Sequence, residues 1–180
     1  MRTKTGPVTD QAAALEFLTG RRFALVGASD SRESFSRTIN TELTDRGYDI
    51  VPVNPAARSV GGRICYASVA EVPGHIDGVL VMVPAEAAVD VVRQCIDADV
   101  RNIWLFRGIG GPGSTSAAAS ALCLDAGVNL VDGACPLMFV ARAGWTHRFH
   151  HAIRVARGTV VDSRELSSST HVKLTSSARR

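Results

Sequence analysis

The chain has no apolar run that approaches membrane-spanning length, so no transmembrane helix is expected. Its first ten residues lack the apolar centre of a secretory leader, which argues against export and makes the cytoplasm the expected location. Cysteine is sparse. Cys65, Cys95, Cys123 and Cys135 are widely spaced, with no C-x-x-C pair, and are expected to be buried reduced thiols. Internal repeats are missing. The dinucleotide fingerprint G-x-G-x-x-G is also missing, because Ser29 and Arg32 stand where its second and third glycines would follow Gly27.

What remains is an ordinary globular composition. The 180 residues are 46% hydrophobic and 21% charged, enough for one domain with a proper core. The net charge of +3 is unevenly placed. Residues 1–140 hold 12 Lys and Arg against 15 Asp and Glu, a net −3, whereas residues 141–180 hold 8 against 2, a net +6. The basic character therefore belongs to the C-terminal end.

The organising stretch is Phe23-Ala24-Leu25-Val26-Gly27-Ala28-Ser29-Asp30. Four apolar residues, a glycine and a polar run predict a buried strand feeding a tight turn into a helix. Such a turn presents backbone N–H groups and the positive end of a helix, where a phosphate can sit. An ordinary strand–helix turn would look the same. A helix over 36–46 follows, with Ile39 and Leu43 on one face and Gly47 at its end. Further strands are predicted over 48–53, 76–83, 102–106 and 128–131. Helices are predicted over 85–98 and from a cap at Ser114 or Thr115 to Ala126. A short helix capped by Asp10 precedes the first strand. Residues 56–74 read as irregular around a Gly61-Gly62 turn, with a helical turn near Val69. Strands alternating with helices of about a dozen residues imply right-handed crossovers and a parallel five-stranded α/β sheet, doubly wound in three layers. Ligands of such a sheet bind at the carboxyl ends of the strands, where strand order reverses.

The loops at those ends gather arginines and glycines and little that could be a nucleophile–base pair, which suggests an anionic, phosphate-bearing ligand. The residues there also carry a family pattern. Residues 23–29, Ser36-Arg37 and Gly47-Tyr48-Asp49-Ile50-Val51-Pro52-Val53-Asn54-Pro55 resemble the CoA-binding domain family. These are small stand-alone Rossmann-like proteins related to the N-terminal domain of the succinyl-CoA synthetase alpha subunit. The pattern continues in Gly62, Tyr66, Ile103-Trp104, Gly108-Ile109 and Cys135-Pro136, and covers roughly residues 20–140.

The resemblance implies coenzyme A or an acyl-CoA as ligand. Gly27, Ala28 and Ser29 would face the pyrophosphate, and Ser36 and Arg37 would meet phosphate at the next helix start. Val53, Asn54 and Pro55 would border the adenosine, and Arg58 would neutralise the 3′-phosphate, with Arg63 as its rival. Val83 and Pro84 would line the pantetheine path, with Arg107 and Gly108 at the far end. Phe106-Arg107 and Leu137-Met138-Phe139 depart from the family's usual pattern. No catalytic or metal-binding residue is expected. The domains implied are an N-terminal helix over 1–20 packed on a binding domain over 21–140, a basic amphipathic helix over 141–161 and a flexible tail over 162–180.

Two features fall outside that set. Cys135 at a strand end could be a reactive thiol, but its apolar neighbours favour a structural one. His147 and His151 have the spacing of zinc ligands. Without a Glu between them, and with arginines alongside, a basic helix that docks on the domain, on a second copy in a homo-oligomer or on a protein partner is favoured, and nucleic acid is not. Three functions compete: a non-catalytic CoA-binding module, a nucleotide-dependent enzyme (acyl-CoA ligase subunit or NAD(P)-linked oxidoreductase), and an interaction protein with a vestigial ligand site. The oxidoreductase lacks the acid that grips a ribose at the end of the second strand, where Asn54 stands.

Overall fold

The structure, a computed structural model, describes residues 9–108, 113–140 and 160–161. In chain order these form β1 (Thr9–Asp10), α1 (Gln11–Phe17), β2 (Arg22–Val26), α2 (Phe35–Thr44), β3 (Asp49–Val53), β4 (Ser59–Val60) and β5 (Arg63–Ile64). There follow a 3-10 turn (Val69–Glu71), β6 (Gly78–Val81), α3 (Ala85–Asp97), β7 (Asn102–Phe106), α4 (Ala117–Asp125), β8 (Asn129–Ala134), a second 3-10 turn (Pro136–Met138) and β9 (Val160–Val161).

Five strands make the main sheet in the order β3-β2-β6-β7-β8, with every neighbouring pair parallel. The chain winds from β2 out to β3, then returns across β2 to β6 and continues outward. The reversal between β2 and β6 is the switch point at which doubly wound sheets hold their ligands.

Alternation along each strand divides the interior in two. Phe23 and Leu25 of β2, Ile50, Leu80 and Trp104 face α1 and α2, where they meet Phe17, Ile39 and Leu43. Ala24, Val26, Val51, Val79, Val81 and Ile103 face α3 and α4, where they meet Val92, Cys95 and Cys123. The first core is aromatic. Phe17 stacks on Phe23 at 4.6 Å and meets Trp104 edge-on at 5.3 Å. The Trp104 indole N–H donates to the Ala134 carbonyl at 2.8 Å, so its polar end is satisfied within the core.

Three local expectations change. The cap of α4 is Ser116, not Ser114 or Thr115. Ser114 is buried, and its hydroxyl donates instead to the Val83 carbonyl at 2.6 Å. Strand β8 runs on past Val131, because Gly133, at φ +78°, forms a bulge that lets Leu105 pair with Asp132 and Phe106 with Ala134. The irregular stretch contains a hairpin, β4 to β5, whose Gly61 (φ +59°) and Gly62 (φ +73°) supply the two left-handed residues of its turn.

Val160–Val161, at the end of the expected C-terminal helix, is extended and pairs in parallel with Thr9–Asp10. The remainder of that helix, the histidine cluster and the tail lie outside the described residues. Among the described residues no helix is long and apolar enough to cross a membrane.

Phe17 joins α1 to the sheet while being only 1% exposed. Phe17→Ala should cost about 3–5 kcal/mol through the cavity it leaves, measured as a lower denaturant midpoint. A loss near zero would mean that α1 is not part of the folded unit.

Candidate functional site

The site is built where β2, β3 and β6 end together. The Gly27 N–H donates to the Val53 carbonyl at 2.9 Å, and the Ala28 N–H reaches the same oxygen at 3.4 Å. The Met82 N–H donates to the Val26 carbonyl at 2.8 Å. Gly27 has φ +88°, and a Cβ there would stand 2.6 Å from the Met82 carbonyl oxygen. Glycine is therefore required by the neighbouring strand end. The space a side chain at Gly27 would need is filled by the Met82 carbonyl and the Val83 side chain.

Of the next amides, that of Ser31 donates to Ser29 Oγ at 3.1 Å, and those of Ser29, Asp30 and Arg32 have no partner among the described residues. Beyond them α2 begins with Ser34 at its N-cap. The Ser34 side chain makes no cap bond, and its Oγ lies 2.8 Å from Ser36 Oγ. Unpaired amides and a helix N-terminus in one place form an anion-binding arrangement. Two ties hold it in position. Asn54 Nδ2 donates to the Ala28 carbonyl at 2.8 Å, and Asp30 Oδ1 accepts the Gly61 N–H at 2.8 Å.

A cavity of about 270 Å³ opens beside this turn, lined by Ser34–Ser36, Met82–Pro84, Phe106, Gly113 and Ser114. Phe35, exposed at the start of α2, stacks on Phe106 at 5.4 Å and forms its apolar wall. Sequence reasoning passed over Phe35, Met82, Phe106 and Ser114. An aromatic residue alone in the polar run 31–36 was the one signal available for Phe35.

The expected site residues separate into groups. Ser29, Ser36, Val83 and Pro84 come together at the cavity and its turn. Arg37, Pro55 and Arg58 are exposed nearby in the chain, and neither arginine side chain has a partner among the described residues. Val53 is 1% exposed, so its side chain belongs to the core and only its carbonyl serves the turn. Asn54 spends its amide on Ala28.

Arg107 stands apart from this group. It lines a second cavity with Asp132, Ser120 and the outer face of α4. Gly108 is half-buried beside the Phe106 ring. Burial pushes the Asp132 carboxyl up, while its bond to Ser120 and the Arg107 charge pull it back.

Arg63, the rival cation, is committed elsewhere. It pairs with Asp49 at the opposite end of β3 and donates to the Ile50 carbonyl at 2.7 Å. The Arg63 hydrogen bond, helped by Arg22, holds the Asp49 carboxyl below its ordinary range. All four cysteines are buried and none of them is in a disulfide. Burial pushes Cys95 up to about 12 and Cys123 up to about 11. Cys135 is 6% exposed, as a structural cysteine should be.

A parallel doubly wound sheet with a glycine turn and a cavity at its switch point defines a Rossmann-like α/β domain. The CoA binding domain model matches residues 21–141, and the chain belongs to that family. It is 32% identical over 89 residues to an uncharacterized protein of Bacillus subtilis, covering 49% of this chain and 66% of that one. It is 32% identical over 77 residues to the ADP-forming acetate–CoA ligase I of Archaeoglobus fulgidus, covering 43% of this chain and 11% of the ligase. A hypothetical protein from Pyrococcus horikoshii OT3 superposes with a TM-score of 0.65 at 29% identity, over 75% of this chain and 94% of that one. The chain thus spans about two thirds of the Bacillus protein and about a tenth of the ligase.

Gly27→Ala should lower stability by about 2–5 kcal/mol without any ligand present, from left-handed strain and overpacking together. Chemical denaturation of the unliganded protein checks this. An unchanged midpoint would return the glycine's role to the ligand.

Proposed function

We propose that this protein binds coenzyme A, free or acylated, as a non-catalytic module of the cytoplasm. The observation that carries this reading is the cavity at the β2–β6 reversal, which lies beside unpaired amides and the start of α2. A diphosphate fits the amides of Ser29, Asp30 and Arg32, and a narrow chain such as pantetheine fits the strip Met82–Pro84 against Phe35 and Phe106. Arg58 would take the 3′-phosphate and Arg37 would support the diphosphate. Family membership supports this choice of ligand.

The non-catalytic part rests on groups already engaged. The Ser114 hydroxyl is bound to Val83, that of Ser120 lies 2.6 Å from Asp132 Oδ2, and Cys135 is buried. Against a nicotinamide cofactor, Asn54 occupies the place of the ribose-gripping acid, and its side chain is tied to Ala28.

Ligand linkage to the folded state provides the test. CoA should raise the thermal midpoint more than NAD at equal concentration, and an equal or larger rise with NAD would overturn the assignment. A finer test concerns Arg58, since one charge-assisted contact is worth about 1.5–3 kcal/mol. Arg58→Ala should weaken CoA binding about tenfold to a hundredfold and leave dephospho-CoA, which lacks the 3′-phosphate, nearly unaffected. Equal losses for both ligands, or none for either, would remove Arg58 from the site.

A further inference from the structure

Asp30 contributes one of the unpartnered amides of the glycine turn, and it also brings a carboxylate to the place proposed for a diphosphate. A negative charge there repels an anion. The carboxylate is occupied across the chain instead. Its Oδ1 accepts the Gly61 N–H at 2.8 Å, a bond between residues 31 positions apart. The charge strengthens that bond.

Gly61 stands in the turn at the tip of the β4–β5 hairpin. The tip also lies against α2, since a Cβ on Gly61 would stand 3.3 Å from Asn40 Nδ2. Each strand of the hairpin has two residues, too few for the pair to hold itself. Three attachments hold it. At the base the Cys65 N–H donates to the Arg58 carbonyl at 3.0 Å, and the Asn54 N–H to the Tyr66 carbonyl at 2.8 Å. In the middle Val60, 2% exposed, is fixed in the core that also holds Ala28 and Ile39. At the tip the attachment is Asp30. Arg58 leads directly into β4, three residues before Gly61, so the bond at the tip governs the strand that Arg58 begins.

We propose that Asp30 is a positioning residue for the 3′-phosphate of CoA. Its side chain touches no ligand; it latches the hairpin to the diphosphate turn and thereby holds Arg58 at the spacing between the two phosphate groups. This rests on the CoA reading and extends it from residues that meet the ligand to one that orders them. Asparagine offers the same acceptor oxygen without the charge, so the latch and the charge are separable.

Isothermal titration of the full chain with CoA and with dephospho-CoA tests it. The ratio of the two affinities isolates the 3′-phosphate, because changes at the amides common to both ligands cancel. The wild-type chain should prefer CoA about tenfold to a hundredfold. Asp30→Ala should cut that preference at least about fivefold, and Asp30→Asn should keep it. Adding Asp30→Ala to Arg58→Ala should change it no further. Asp30 is exposed and outside both cores, so neither substitution opens a cavity. A preference that survives Asp30→Ala, that falls as far in Asp30→Asn, or that falls further in the double variant would overturn the latch and leave the CoA reading intact. Equal binding of both ligands by the wild-type chain would overturn the latch together with the role of Arg58. Binding of neither would overturn the CoA reading and the latch with it.

Discussion

One carbonyl, that of Val53, accepts the amides of both Gly27 and Ala28, and the Val26 carbonyl takes the amide of Met82. The ends of β3, β2 and β6 are thereby joined into one rigid plate, with no room at Gly27 for a side chain. Everything at the candidate site hangs from this plate. It sets where the unpartnered amides of Ser29, Asp30 and Arg32 begin, aims the chain into α2, and places Met82–Pro84 opposite Phe35. Asn54 and Asp30 then tie the turn to the chain after β3 and to the β4–β5 hairpin, at one hydrogen bond each.

The two ends of the sheet divide the charged residues between them. At the amino ends, Arg22 and Arg63 share Asp49, and Asp77 accepts the amides of Arg21 and Arg22. Partly exposed ion pairs contribute little stability. Their effect here is to orient chain entries and to occupy arginines. At the carboxyl ends Arg37 and Arg58 stay exposed without partners among the described residues. A surface that commits its cations at one end and leaves them uncommitted at the other favours anions at the second.

Helix α4 and the bulged strand β8 supply most of the walls of the second cavity. Gly133 lets β8 continue, which carries Asp132 under Ser120 instead of ending the sheet at Val131. Ser114, freed from capping, bolts the start of that region to Val83 and Phe106.

The sequence by itself determined the architecture. Apolar runs of strand length, helices of about a dozen residues and glycines at their ends suffice for a doubly wound sheet, since burial on both faces leaves such strands few other arrangements. It also marked the glycine turn and the Gly-Tyr-x-x-x-Pro-Val-Asn-Pro segment, because both are contiguous. What only the tertiary structure decided is which side of each residue faces a ligand. Val53 and Asn54 are adjacent in the pattern, but one packs into the core and the other staples a turn. Arg58 and Arg63 are five residues apart, but a hairpin turns Arg63 back to Asp49. Phe35 and Phe106 meet from opposite halves of the domain. Local sequence carries period and chain punctuation, whereas partner choice depends on which elements fold against each other. Pairings between distant residues therefore became visible only in the folded chain.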